Sequence, residues 1–141
     1  MKTRQKGTAI VEFALILPLL LLLTMITTEF GRAIYQYNTI VKSVRNATRY
    51  LSLQTKNTKE TEAQNLVVFG NIAGTAPALV PGLTLSQVTP TWQEIGSAPR
   101  INTVTITVTG YTFRSMFTSV FGVTFGDKIF ANISATMRAP S

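Results

Sequence analysis

The stretch that decides the fold lies near the start of the chain and reads Thr8-Ala-Ile-Val-Glu-Phe-Ala-Leu-Ile-Leu-Pro-Leu-Leu-Leu-Leu-Leu-Thr-Met-Ile-Thr-Thr28. Within these 21 residues Glu12 is the only charged side chain. A helix of this length spans roughly 30 Å, which is the thickness of the hydrocarbon layer of a bilayer. The sequence therefore predicts one membrane-spanning helix, and we assign residues 8–30 to it.

Basic residues precede this run and set its expected orientation. The flank contains Lys2, Arg4 and Lys6, and without them the net charge of +7 falls to +4. Positively charged flanks of a membrane helix stay in the cytoplasm. We therefore expect a single-pass topology, with the N-terminus in the cytoplasm and the remainder of the chain outside it.

Two plainer interpretations of the run are a secretory signal peptide and a membrane anchor that is never processed. The run is longer than the usual apolar core of a signal peptide, and no small-x-small cleavage site follows it cleanly. Neither interpretation accounts for Glu12, because an acidic side chain costs about 2.5–3.5 kcal/mol at the bilayer centre and less near the interface. We expect Glu12 to have a partner or to lie outside the lipid.

The residues around Glu12 form a motif, Lys6-Gly-Thr-Ala-Ile-Val-Glu-Phe13, in which a glycine ends the basic leader and the acid follows five residues later. This motif resembles the prepilin signal of type IV pilins and pseudopilins. The resemblance implies that residues 1–7 are a leader peptide and that a prepilin peptidase cuts between Gly7 and Thr8 on the cytoplasmic side. The apolar helix would be retained after the cut.

Such a cut gives Glu12 a chemical role. It frees an α-amine on Thr8, whose ordinary pKa is roughly 7.7–8.0. When subunits stack with an axial stagger, Glu12 of one subunit can pair with the Thr8 amine of its neighbour, and each charge then neutralises the other in a low dielectric. We predict that Thr8 and Glu12 are the assembly residues.

Pro18 removes one helical hydrogen bond, which predicts a kink that is either passive or a functional hinge.

After Glu29 the run becomes amphipathic. Apolar and small residues recur at helical spacing along one face: Ile34, Tyr37, Ile40, Val41, Val44, Ala47, Thr48 and Leu51. We predict one continuous helix from about Thr8 to about Leu53. Basic residues lie on another face: Lys42, Arg45, Arg49 and Lys56. That face is either solvated or contacts phospholipid headgroups or an acidic partner. No nucleic-acid-binding motif accompanies it, so we expect no nucleic-acid partner.

Residues 31–141 are predicted to form an extracytoplasmic α+β domain in three parts. The helix continues to about residue 55, a loop with a short second helix occupies residues 56–82, and an antiparallel sheet occupies residues 83–141. We expect the second helix at Glu60–Asn71, closed by a glycine.

Alternation of apolar and polar residues predicts strands in the last part, near residues 83–93, 101–113 and 128–138. Pro90 favours an edge position for the first strand, and Gly110 suggests a bulge in the second. Because one face of each of the last two strands is apolar, we expect the sheet to pack on the long helix. Residues 111–126 contain five aromatic side chains. They either complete the core or form a contact surface for a membrane or a partner.

Several segments resemble the TadE family: residues 7–20, 31–33, 47–50, 104–114 and 133–138. The resemblance implies a pilin-like α+β fold and a role as a pseudopilin or minor pilin of the bacterial tight-adherence (Tad, or Flp) pilus, in adhesion, surface colonisation or biofilm formation. It implies a place in the bacterial inner membrane, with the C-terminal domain in the periplasm, and incorporation into an extracellular pilus. The implied partners are other pilin or pseudopilin subunits, the prepilin peptidase and the inner-membrane assembly platform.

The residue types present argue against catalysis. The chain has no cysteine and no histidine, which excludes a disulfide framework, a thiolate zinc site and a histidine-assisted nucleophile. It also has no glycine-rich phosphate loop, and its carboxylates outside the long helix follow no catalytic spacing: Glu60, Glu62, Glu94 and Asp127. We predict no enzyme activity, catalytic residue, metal or cofactor. The alternative to a pilus subunit is an uncleaved, membrane-anchored periplasmic binding or scaffold protein.

Overall fold

The structure, a computed structural model, describes residues 5–98 and 100–140, apart from the side chains of Gln5 and Lys6. Lys2, Arg4 and the Lys6 side chain, which the sequence assigns to membrane orientation, lie outside the described residues. Helix α1 spans Gln5–Leu51 and helix α2 spans Glu60–Phe69. The strands are β1 Val88–Ile95, β2 Ile101–Val108, β3 Thr112–Phe113, β4 Ser119–Val120, β5 Val123–Thr124, β6 Lys128–Ile129 and β7 Ile133–Ala139.

Helix α1 confirms the predicted continuous helix. Its 47 residues correspond to about 70 Å of length. No side chain from Gly7 to Thr28 is buried, so this half of the helix contributes nothing to the core, although Ile26 and Thr28 near its end line cavities shared with the rest of the domain. Among the described residues, α1 is the one helix long and apolar enough to cross a membrane.

The second half of α1 forms one wall of the core. Ile40, Val44, Ala47, Thr48 and Leu51 are all fully buried, and they contact strands β2 and β7 and helix α2. The predicted apolar face therefore holds from residue 40 onward. At the membrane-proximal end the prediction was wrong, since Ile34 and Tyr37 are exposed there.

The sheet that covers this face has the strand order β1-β2-β7 and is antiparallel throughout. Strand β1 lies at the edge, as Pro90 predicts, because proline donates no hydrogen bond to a neighbouring strand. This strand begins at Val88 and not at Leu83, because residues 85–87 form a 3₁₀ turn.

Two predicted strands were too long. The second ends at Val108, where Gly110 adopts the left-handed conformation with φ of 68° and the chain leaves the main sheet. The third is interrupted after Ile129, and β7 begins at Ile133. The chain therefore forms two small additional antiparallel pairs, β3 with β6 and β4 with β5.

An aromatic cluster joins these small pairs to the helix. The ring of Phe130 lies 5.3 Å from the ring of Tyr111, 5.5 Å from Tyr37 and 6.4 Å from Phe113, measured between centroids. The buried Tyr111 hydroxyl lies 2.8 Å from Oε1 of the buried Gln36 and so gives this helix amide a polar partner. Burial raises the pKa of Tyr111, so the hydroxyl stays protonated and can donate.

Two ion pairs lie at the end of the domain that is far from the apolar run of α1. Lys59 Nζ lies 2.6 Å from Glu62, which also accepts a hydrogen bond from the Tyr50 hydroxyl. Lys56 Nζ lies 2.7 Å from Glu94. The hydrogen bond from Lys59, followed by that from Tyr50, lowers the pKa of Glu62, and the hydrogen bond from Lys56 lowers the pKa of Glu94.

These lowered pKa values predict acid destabilisation. The contribution of both carboxylates is complete above their unfolded-state pKa of about 4.3 and is lost as the pH falls through the lower folded-state pKa. We expect the denaturant midpoint of the detergent-solubilised chain to fall as the pH is lowered from about 5 to about 3. In the Glu62→Gln, Glu94→Gln double variant this slope should be shallower. An unchanged slope in the double variant would assign the acid sensitivity to other carboxylates.

Candidate functional site

The predicted cleavage site lies in the exposed first turns of α1. Gly7 and Thr8 are both helical and exposed. A Cβ added at Gly7 would meet nothing within 4 Å, and its φ is not in the left-handed region, so the fold gives no reason for a glycine there. Glycine inside a helix is about 1 kcal/mol less favourable than alanine. This residue therefore weakens the helix without serving the packing of the described chain.

Glu12 lies four residues after Thr8 on the same face of the helix. Its side chain is exposed, and it forms no hydrogen bond or ion pair with residues 5–98 or 100–140. The structure thus brings Thr8 and Glu12 to one face but supplies no charge inside the described chain to neutralise the acid. A counter-charge for Glu12 would therefore have to come from outside the described residues.

Pro18 lies inside α1, which continues through it. Because proline has no N–H, the carbonyl of Ala14 lacks its usual helical donor at this point. The choice between a passive kink and a hinge stays a prediction.

Glu29, at the end of the apolar run, forms a polar cluster that sequence reasoning missed. Its side chain is only 6% exposed. Arg32 Nη1 donates to Glu29 Oε1 at 2.8 Å, and the backbone N–H of Met116 donates to the same oxygen at 3.2 Å. The hydroxyl of Ser115 lies 3.2 Å from Oε2. Glu29 therefore ties the segment after β3 to the helix at the level where the apolar run ends.

Further contacts hold this segment on the helix. The Arg32 guanidinium lies 5.5 Å from the centre of the Phe113 ring, within the range of a cation–π interaction. A cavity of about 220 Å³ separates the segment from α1, and its walls are Ile26, Glu29, Phe30, Ala33, Phe113, Ser115, Thr124, Phe125, Gly126 and Lys128. Ile26 belongs to the apolar run, so the chain after β5 lies beside the end of the membrane segment.

The five aromatic side chains of residues 111–126 divide between the two predicted roles, core and contact surface. Tyr111 and Phe113 are buried in the core. Phe117 and Phe125 are half-buried, whereas Phe121 is 65% exposed. The base of the segment is therefore core, and its tip is surface.

Phe121 occupies the tip of the β4–β5 hairpin in a strained conformation. Val120 pairs with Val123, so Phe121 and Gly122 form a two-residue loop, and their φ values are 49° and 80°. Two positive φ values are typical of the type I′ turn, where asparagine, aspartate and glycine are preferred. A left-handed conformation costs an ordinary L-residue roughly 1–2 kcal/mol. The hairpin thus places an aromatic side chain in solvent at an energetic cost.

The remaining candidates add little chemistry. Lys42, Arg45 and Arg49 are exposed, as predicted, while Lys56 pairs with Glu94. Among the described residues no group of three or more acidic side chains is placed to hold a metal ion. The distinctive features are therefore the bare apolar half of α1, with Glu12, and the segment tied down by Glu29.

A comparison with protein families recognises this same helix. Residues 7–49 match the family model of TadE-like proteins. The match begins at Gly7 and includes Thr8, Glu12, Pro18 and Glu29, so it confirms the resemblance inferred from the sequence over the TadE-like helix. The family points to a pilin-like protein associated with the Tad pilus, which is a structural and not a catalytic class. No curated protein and no solved structure matches the chain.

Proposed function

We propose that this protein is a minor pilin or pseudopilin that acts as a structural and assembly subunit of a Tad pilus. It enters the bacterial inner membrane with its N-terminus in the cytoplasm and its C-terminal domain in the periplasm. A prepilin peptidase removes residues 1–7, and the mature helix passes through the assembly platform into the filament. In this role the subunit supports adhesion, surface colonisation or biofilm formation.

The proposal rests on three properties of the first half of α1. It is apolar, has no buried side chain, and contains an acid with no partner in the described chain. A helix that only anchored a domain would be more stable in lipid without Glu12. When the helix packs among identical or related helices that each have a free Thr8 amine, pairing of Glu12 with one of these amines favours a single axial register.

Gly7 supports the processing step. Nothing in the described fold calls for glycine there, and a residue without a side chain would let a group outside the chain, such as a peptidase, approach the backbone closely. The partners that follow are the prepilin peptidase, the assembly platform and neighbouring pilin-like subunits.

The test is the mass of the mature chain after co-expression with the prepilin peptidase. We expect wild type to be shortened to a Thr8 N-terminus, and Gly7→Leu to keep its leader because the new side chain blocks approach to the scissile bond. Gly31→Leu is the matched control, since Gly31 is also helical with nothing within 4 Å of an added Cβ, and it should be processed normally.

Each result has a clear consequence. Retention of residues 1–7 by wild type in its native host would overturn the proposal and favour an uncleaved, membrane-anchored binding or scaffold protein. Normal processing of Gly7→Leu would place the cleavage elsewhere.

A further inference from the structure

We infer that the β4–β5 hairpin is a membrane-contact element whose tip, Phe121, inserts into the lipid headgroup layer on the periplasmic side. The occupant of this apolar tip is thus the bilayer crossed by the helix of the same chain. The inference rests on the membrane placement of α1 in the proposed function, and it adds a second contact between the domain and the membrane.

The first argument is conformational. An exposed phenylalanine at φ of 49° stabilises nothing in the described fold, whereas asparagine or glycine would fit the turn better. Strain of this kind persists where the strained group has a function. Aromatic side chains are enriched where a membrane meets water. The hairpin tip therefore has the side chain of an interfacial anchor.

The second argument is position. Glu29 and Arg32 follow the uncharged run directly, and Glu29 binds Ser115 and the Met116 amide, four and three residues before the hairpin. After the hairpin, Thr124 and Phe125 line the same cavity as Ile26, one turn inside the run. Both ends of the hairpin are thus fixed at the depth where a membrane-spanning α1 leaves the hydrocarbon layer.

The third argument is the surrounding surface. Met116 and Ile129 are exposed to 67% and 74%, and the exposed Phe30 lines the same cavity as their sequence neighbours Ser115 and Lys128. Arg114 and Lys128 flank the hairpin and are exposed, as is Asp127, whose carboxylate accepts a hydrogen bond from the Ser115 amide. Apolar side chains bordered by cations suit an interface in which acyl chains meet headgroup phosphates. A continuous bilayer next to the span satisfies this surface without a second protein.

The test uses the native absence of cysteine, which allows single labelling sites without background. An environment-sensitive fluorophore is attached at Ser119→Cys, an exposed position beside the tip, in the full chain reconstituted in vesicles of equal parts phosphatidylcholine and phosphatidylglycerol. Leu20→Cys reports insertion of α1. Leu53→Cys is the matched control, because it is apolar and exposed but lies just beyond the end of α1, about 33 Å of helix above Glu29. The readout is quenching by lipids that contain a nitroxide near the headgroup for the Ser119 and Leu53 probes, and deep in the acyl chain for the Leu20 probe, which lies about 14 Å of helix inside Glu29.

We expect the Leu20 and Ser119 probes to be quenched and the Leu53 probe to remain unquenched. Phe121→Asn in the Ser119-labelled chain should reduce quenching toward the level at Leu53. Because asparagine suits the left-handed turn, its denaturant midpoint should equal or exceed that of the parent, which separates loss of contact from loss of fold.

The contrary outcomes are distinct. Quenching at Leu20 with none at Ser119 overturns the hairpin contact and leaves the proposed function standing. Absence of quenching at Leu20 overturns the membrane span itself and both proposals with it. A Ser119 probe shielded only in assembled pili, or quenching that survives Phe121→Asn, assigns the contact to a neighbouring subunit or to residues other than Phe121 and overturns the inference.

Discussion

Glu12→Gln is expected to exclude the subunit from assembled pili while leaving its folding, membrane insertion and processing unchanged. Glutamine has the shape of glutamate without its charge, and Glu12 makes no contact within the described residues that the change could break. In the filament, however, the Thr8 amine of a neighbour would lose its counter-charge in a low dielectric. Removing one partner of a buried ion pair costs about 3–5 kcal/mol, or a factor of at least about one hundred in the population of the paired register.

The measurement is the ratio of this subunit in sheared pili to that in the membrane fraction, by quantitative mass spectrometry. Glu12→Asp retains the charge and should restore part of the incorporation. Gly7→Leu keeps the leader and frees no Thr8 amine, so it should also be excluded from pili, and adding Glu12→Gln to it should lower incorporation no further. Normal incorporation of Glu12→Gln would show that the Thr8 amine is neutralised otherwise, and the assembly role of Glu12 would be lost.

The features predicted correctly are those encoded locally. The apolar run and the helical spacing from Ile40 to Leu51 lie within one element, so the helix and its buried face follow from periodicity. Likewise, the alternation in residues 101–108 gives β2 with its buried valines and isoleucine. Gly7, Thr8 and Glu12 could be singled out because their motif depends only on short spacings, and their roles in cleavage and assembly stay predictions.

The features that were missed are of two kinds. Some depend on residues far apart in the sequence, and others on backbone turns across which the alternation of apolar and polar residues continues unchanged. Polar and apolar residues continue to alternate beyond Val108, but the positive φ of Gly110 removes them from the main sheet. Near Ala131 the set of alternating side chains that faces the core changes. Before it, Phe130 packs on the core while Ile129 is exposed. Glu29 marked only the end of the run in the sequence, because its partners Ser115 and Met116 lie 86 and 87 residues away.

Glu29→Gln should act differently from Glu12→Gln, because it loosens the domain locally, and cleavage after Gly7 should be intact in both variants. The change removes the ion pair with Arg32 and replaces one carboxylate oxygen, which accepts, with an amide N–H₂, which can only donate. Hydrogen bonds to a charged group contribute about 1.5–3 kcal/mol each, and we expect a net loss of about 2–3 kcal/mol in holding residues 115–126 against α1.

This loss is measurable at one amide. The Met116 N–H binds the Glu29 carboxylate, so its hydrogen exchange should accelerate about 30- to 150-fold in Glu29→Gln, the factor that corresponds to about 2–3 kcal/mol. The amides of Val104 and Ile106, in the central strand, should exchange as in wild type. Glu62→Gln is the matched control, since Glu62 also accepts two side-chain hydrogen bonds but at the far end of the domain.

Unchanged protection of Met116 would show that the aromatic cluster alone holds the segment, and Glu29 would then be only a local partner of Arg32. Accelerated exchange confined to residues 115–126 would instead identify Glu29 as the group that fixes the hairpin at the membrane boundary. The two acids of the helix would then have separable roles, because Glu12 acts between subunits and Glu29 acts within one. Glu12→Gln should therefore leave the hydrogen exchange of Met116 unchanged, and Glu29→Gln should leave the incorporation of the subunit into pili unchanged.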